Sequence, residues 1–169
     1  EYVRGNPKAA IKKIRKCGGS GTAVTFQPDP TVFETVHFDW HRILEHIRQQ
    51  AYLIPGVRVT ISDERGGETS KDGTLLALTY TFYFEGGIAS YTAYLNRNQK
   101  SKHENVFYVG KEVETPNGRK IHVEAAFQYT DDIAGKEISF ANNIHTGEGG
   151  MHLTGFRTAL TRVLNDYAR

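Results

Sequence analysis

The sequence predicts an α+β fold, with helices packed on one face of a mixed, mainly antiparallel sheet. Three observations predict it. Several short stretches alternate apolar and polar residues with the period of a strand. Three others repeat apolar residues at helical spacing. Gly, Pro and Asn-Gly breaks separate the two kinds, in the order strand, helix, strands, helix, strands, helix.

The elements follow in chain order. Residues 1–20 are basic and Gly-containing and read as an exposed approach to the first strand. "GTAVTFQPD" (21–29) alternates Ala23 and Thr25 against Val24 and Phe26, and is stopped by Pro28 and Pro30, so a strand is predicted. Asp39 is placed to cap a helix whose stripe is Trp40, Ile43, Leu44, Ile47 and Ala51, ending at Pro55-Gly56. "VRVTIS" (57–62) and "TLLALTYTFYF" (74–84) are predicted strands flanking a polar loop at 63–73. After Gly86-Gly87, the spacing of Ile88, Tyr91 and Leu95 predicts a helix. "ENVFYVG" (104–110) is predicted as a short strand, and Asn117-Gly118 marks a hairpin turn. "IHVEAAFQYT" (121–130) and "KEISFANNI" (136–144) are expected to pair with each other through "DDIAG". Gly149-Gly150 opens the last helix, with Leu153, Phe156, Leu160, Val163, Leu164 and Tyr167 as its buried stripe. The best boundary falls near Pro28–Thr31, which divides the chain into 1–30 and 31–169.

Composition narrows the function class. The 169 residues are 38% hydrophobic and 24% charged, the balance of an ordinary water-soluble globular chain. With 21 basic and 19 acidic residues the net charge is +2, so any nucleic-acid surface must be local rather than global. Cys17 is the one cysteine, which excludes an internal disulfide and a cysteine-rich metal site and fits a reducing compartment. No apolar run approaches the ~20 residues that a spanning helix needs. The start has no apolar signal core and no Met, and reads as cut from a longer protein.

Local motifs supply little chemistry. "GGSGT" (18–22) is Gly-rich, but it lacks the P-loop lysine and opens no helix, so a plain turn is the better reading. His37 and His41 are four residues apart, but His37 precedes the helix, and surface or packing histidines are expected. Asp131-Asp132 sits in a turn, where solvated carboxylates are the rule, and no G-x-S-x-G elbow occurs. No catalytic constellation or metal site emerges. In the last helix Arg157 and Thr161 lie on one side, off the apolar stripe, with Arg162 on another. Each arginine is ordinarily a solvated surface group. Held on a rigid helix, it can instead contact a DNA phosphate.

Three stretches carry a resemblance that covers nearly the whole chain: "GTAVTFQPDPTVFETVHFDWHRI", "FEGGIASYTAYLNRN" and "SFANNIHTGEGGMHLTGFRTALTRVLNDYA". In the same order, they resemble the ATPase (B) subunit of bacterial type IIA DNA topoisomerases, gyrase and topoisomerase IV. The resemblance implies the end of a GHKL ATP-binding domain (1–30), followed by a C-terminally truncated transducer of ribosomal-protein-S5 domain 2-like fold (31–169). It implies that Thr22 helps bind the adenine of ATP, that Val24 lines that pocket, and that Arg157 faces a DNA cavity. It also implies ATP and Mg2+ as cofactors of the whole protein, DNA and an A subunit as partners, B-subunit dimerisation on ATP binding, and a cytoplasmic location. The family's catalytic glutamate, magnesium-binding asparagine and ATP lid are expected before Glu1, and its Gln-Thr-Lys loop after Arg169. The fragment alone is therefore expected to be inactive and to hold no cofactor. Met151 stands where the family usually has Thr, and the 63–81 loop looks long for the family. The alternatives are a stand-alone S5-like nucleic-acid-binding module without catalysis, and a GHKL relative such as a mismatch-repair ATPase or a chaperone.

Overall fold

The computed structural model describes residues 1–69 and 75–169, and the side chains of 1–65 and 78–169. The chain divides into two compact units, Glu1–Trp40 and His41–Arg169. Among the described residues every strand ladder is antiparallel and joins two strands.

The first unit is built on one tight hairpin. β1 (Tyr2–Val3) pairs with β2 (Asn6–Pro7), Tyr2 opposite Pro7. Arg4 (φ 50°) and Gly5 (φ 79°) both take left-handed backbone, as a two-residue hairpin turn of the primed type requires. Further on, Phe26 and Phe38 meet edge to face, with centroids 5.9 Å apart. The strand expected at 21–29 does not form: the segment carries no ladder, and Val24 and Phe26 are exposed. Its alternation is real, but a strand exists only where a neighbour takes up its backbone N–H and C=O groups.

The second unit begins within α1 (Trp40–Leu53), which starts immediately after Asp39 as the sequence predicts. Leu44, Ala51 and Tyr52 are its buried positions, spaced to share one face. The helix stops at Pro55-Gly56, where Gly56 (φ 77°) donates its N–H to the Phe84 carbonyl at 2.9 Å. β3 (Val59–Thr69) pairs with β4 (Leu75–Phe82), from Val59 opposite Phe82 to Thr69 opposite Leu75. The register shifts between Asp63 and Glu68. β3 thus runs well into the stretch expected as a loop at 63–73, of which 70–73 lie outside the described residues. Thr60 and Thr81, then Ser62 and Thr79, pair their hydroxyls across the ladder at 3.0 and 2.8 Å.

α2 (Gly87–Asn96) begins on a glycine with φ +54°, where a Cβ would come within 2.9 Å of Pro55 Cγ. Only glycine permits both that backbone and that approach. α2 packs on the hairpin of β5 (Phe107–Glu114) and β6 (Lys120–Phe127) through β6. The turn contains the predicted Asn117-Gly118, with Gly118 at φ +73° and its N–H on the Thr115 carbonyl at 2.9 Å. The segments following α2 and β6 are tied together: Lys102 N–H donates to Tyr129 O at 2.8 Å and Asp131 N–H to Lys100 O at 3.0 Å. His103 uses both ring nitrogens there, Nδ1 against Asn105 O at 2.6 Å and Nε2 accepting from Tyr129 N–H at 3.0 Å.

Two expectations need correcting. Residues 121–130 and 136–144 are not strand partners. β6 pairs with β5, while β7 (Phe140–Ala141) folds back on β8 (Ile144–His145). Asn142 and Asn143 sit at φ 48° and 64° and make that reversal, since asparagine tolerates the left-handed region. The last helix, α3 (Met151–Tyr167), matches the predicted span, but no residue of it is buried. Leu153, Phe156 and Leu160 are half-buried, with Phe156 against Phe127 at 6.3 Å. Val163, Leu164 and Tyr167 are 60%, 48% and 91% exposed, so the apolar stripe finds cover only along its first part.

Tyr52, 5% exposed, should lose about 3–5 kcal/mol of stability on truncation to Ala, as large buried aromatics do. Tyr167→Ala should stay within about 0.5 kcal/mol. Urea unfolding of the two variants checks the contrast, and a comparable loss at Tyr167 would contradict the exposed end of α3.

Candidate functional site

The sequence singled out Thr22, Val24 and Arg157. Thr22 and Val24 fall in the first unit, on the exposed segment without a ladder, with Val24 77% exposed. Arg157 falls in the second unit, on the second turn of α3. The structure therefore brings Thr22 and Val24 to one short stretch and leaves Arg157 on a separate element.

The segment that carries Thr22 and Val24 leads into a polar anchor that sequence reading missed. Asp29 Oδ1 accepts the Thr31 N–H at 2.8 Å and the Thr31 hydroxyl at 2.7 Å, while Oδ2 accepts Arg4 Nε at 2.9 Å. Arg4 Nη2 also donates to the Thr31 hydroxyl oxygen at 3.0 Å. The Thr31 hydroxyl, then the Thr31 N–H, then the Arg4 guanidinium lower the Asp29 carboxyl from 3.8 to about 2. The Asp-x-Thr spacing signals the local turn. The partner Arg4, 25 residues away, has no local signature.

Around Arg157 the geometry is more telling. α3 turns an open polar face to solvent, formed by Arg157, Thr158, Thr161, Arg162 and Asn165, with Asp166 and, just past the helix, Arg169 beside them. Arg162 thus shares that face with Arg157, although five residues separate them. The Arg157 guanidinium is held: Nε donates to Glu137 Oε2 at 2.8 Å, and Nη2 contacts the same oxygen. That hydrogen bond, followed by the charge of Glu137, raises the Arg157 pKa further above its ordinary value. Both side chains stay largely open to solvent, 59% for Arg157 and 48% for Glu137. This is a surface ion pair, and the guanidinium remains reachable. Glu137 precedes the β7–β8 hairpin, which docks onto the start of α3. Ser139 Oγ and Thr146 Oγ1 lie 2.6 Å apart, and Thr146 Oγ1 lies 3.2 Å from His152 Nε2. At the mouth of α3, Gly149 (φ 79°) and Gly150 (φ 152°) make the sharp entry that the Gly-Gly pair implied.

Donor chemistry bears on the implied cofactors. Among the described residues, no group of three or more His, Cys, Asp or Glu side chains is arranged around a common point as a metal ion would need. Thr22 and Val24 supply one hydroxyl and one apolar side chain. Neither of these two side chains carries a charge that would hold Mg2+ or the phosphates of ATP.

Antiparallel hairpins joined by three helices, with an arginine-bearing final helix, define a chain homologous to the B subunits of type IIA DNA topoisomerases. Residues 87–169 match the family described as DNA gyrase B, and the chain belongs with the gyrase and topoisomerase IV B subunits. The DNA gyrase B subunit of Haloferax volcanii is 46% identical over 94% of this chain and 22% of its own length. Its counterpart in Streptococcus pneumoniae is 42% identical over 100% of this chain and 24% of its own. The DNA topoisomerase 4 B subunit of Enterococcus faecalis is 37% identical over 98% and 22%. The 43K ATPase domain of Thermus thermophilus gyrase B, solved with an aminocoumarin, superposes with a TM-score of 0.66 at 30% identity. The match covers 85% of this chain and 35% of that one. The chain spans about a quarter of the length of its sequence relatives. These matches bear out the α+β transducer-type fold and the resemblance that the three sequence stretches carried.

The Asp29 network contributes stability that is present above the unfolded value near 3.8 and is lost as pH falls through about 2. Thr31→Val removes the largest cause and keeps the N–H. Carboxyl-detected NMR titration should show Asp29 rising part of the way back toward 3.8. An unchanged titration would mean that the Thr31 hydroxyl does not hold it.

Proposed function

We propose that this chain is the coupling segment of a type IIA topoisomerase B subunit, carrying the nucleotide state of an ATP site toward a DNA-handling core. The supporting observation is its homology along nearly all its length to gyrase and topoisomerase IV B subunits, combined with an arginine exposed on α3. On this reading the whole protein is an ATP-dependent isomerase that passes one DNA duplex through another. It acts in the cytoplasm with a DNA-cleaving A subunit, and dimerises through its B subunits when ATP and Mg2+ bind. Residues 1–30 form the end of the ATP-binding domain and 31–169 most of the transducer.

In that scheme Thr22 offers its hydroxyl to the adenine and Val24 an apolar wall, while Arg157 meets a phosphate of the passing DNA. An arginine on a rigid helix suits that role, because a phosphate contact adds affinity without reading sequence and weakens as salt rises. The transmission itself is mechanical. A nucleotide can shift the arrangement only as far as it binds the two states differently, and residues outside this chain supply most of those contacts. The chain by itself should therefore hydrolyse no ATP.

Two measurements test the proposal. Purified chain, incubated with ATP and Mg2+, should release no phosphate above a buffer control; turnover that follows the protein through purification would overturn the division of labour. In the intact B subunit, Arg157→Glu should depress DNA-stimulated ATP hydrolysis by about tenfold, equivalent to the ~1.4 kcal/mol of one lost charged contact. Basal hydrolysis should change far less. Equal losses in both would mark Arg157 as structural.

A further inference from the structure

Arg157 and Arg162 on α3, with Arg169 just past its end, line one polar face, and among the described residues Arg157 is the one of these three that a carboxylate holds in an ion pair. We propose that Glu137 is a built-in competitor for the phosphate at Arg157, and sets how strongly this face grips DNA. The inference rests on the reading that this face meets DNA.

Geometry supports it from two sides. The first is the pair itself. A guanidinium has five N–H donors, and one oxygen of Glu137 occupies the Nε edge by engaging Nε and Nη2. The Nη1 edge remains for a phosphate, but a carboxylate already sits on the cation and largely cancels its charge. A phosphate arriving there must bind beside that carboxylate or displace it. Both cost free energy that a bare arginine would not impose.

The second side is the mounting of Glu137. A carboxylate on a loose loop would drift off when a phosphate approached. Glu137 instead stands two residues before Ser139, whose hydroxyl contacts Thr146, which in turn reaches His152 in the first turn of α3. Thr146 N–H also donates to Ser139 O at 2.8 Å, and Thr146 Oγ1 to the same carbonyl at 2.9 Å. The hairpin is therefore fastened to the helix that bears Arg157, and Glu137 is returned to the guanidinium after each encounter. Such an arrangement serves a surface that must hold DNA briefly and release it.

The consequence is measurable in the chain as it stands. Binding of a fluorescein-labelled mixed-sequence duplex is followed by anisotropy over a range of salt, for wild type, Glu137→Gln, Arg157→Gln and the double variant. Both positions are exposed, and circular dichroism checks that each variant folds. Glu137→Gln should tighten binding about three- to tenfold at low salt and steepen the log–log salt dependence by up to ~0.9, the contribution of one more neutralised phosphate. Arg157→Gln should weaken binding. In the Arg157→Gln background, Glu137→Gln should give at most the small gain expected from removing any negative charge. The excess in the wild-type background is the coupling.

An equal gain from Glu137→Gln in both backgrounds would overturn the proposal, because the carboxylate would then act as general surface charge. So would no gain in either, while Arg157→Gln still weakens binding; the DNA reading would survive and the role of Glu137 would not. If wild type and Arg157→Gln bind equally poorly, the DNA reading of the face fails first and takes this proposal with it.

Discussion

The second unit hangs on the side chain of Tyr52. Its ring centroid lies 3.6 Å from that of Phe84, ring on ring, and 5.1 Å from that of Tyr91, which joins α1, the segment just after β4 and α2 at one point. Few other residues could do this. Leu44, Ala51, Tyr52 and Phe82 are the buried hydrophobic residues among those described, so a thin core must draw much of its stability from large flat rings. Burial pushes the Tyr52 hydroxyl above its ordinary pKa, with the neighbouring Tyr94 adding to the rise. Arg48 closes the cluster: its guanidinium lies over Phe82 and Tyr94 at 5.4 and 5.2 Å and donates to the Tyr94 hydroxyl at 2.6 Å. A cation placed this way satisfies a polar group and covers apolar rings at once.

From that cluster order passes outward. Fixing α2 fixes the segment behind it, which the backbone bonds of Lys102 and Asp131 and the doubly bonded His103 fasten to the end of β6. Fixing β6 places Phe127, and Phe127 meets both Phe107 across the hairpin and Phe156 on α3. Along the last two turns of α3 every residue is exposed, Val163 by 60%, Leu164 by 48% and Tyr167 by 91%.

On the proposed reading, the grip on the first turns of α3 suits a coupling element. A helix gripped along its first turns moves as one body with the hairpin that grips it, so a displacement at α1 and α2 would reach α3 as a shift of a rigid piece. Arg157 lies on the gripped part, where a charged group is held in register, while Arg162 and Arg169 lie in the more exposed stretch that follows. A surface pair such as Glu137–Arg157 adds little to stability. Its role is to decide which partner the guanidinium meets.

Local structure was legible along the chain. Helical spacing located all three helices, because an amphipathic stripe is written into consecutive residues. Asn117-Gly118 located the β5–β6 hairpin, because a left-handed turn needs those residue types. The three family stretches carried the homology. Whatever depends on partners was fixed by the folded arrangement instead. Among the described residues the alternation at 21–29 pairs with no strand, Asn142-Asn143 sent 140–145 back on itself instead of onto β6, and Val163, Leu164 and Tyr167 stay largely exposed. Arg157 was legible as a candidate, but Glu137 was not, since the two are twenty residues apart and no periodicity links them. Propensity and turn chemistry act between neighbours in the chain and can be read along it. Pairing, burial and ion pairs act between neighbours in space, and only the three-dimensional fold says which those are.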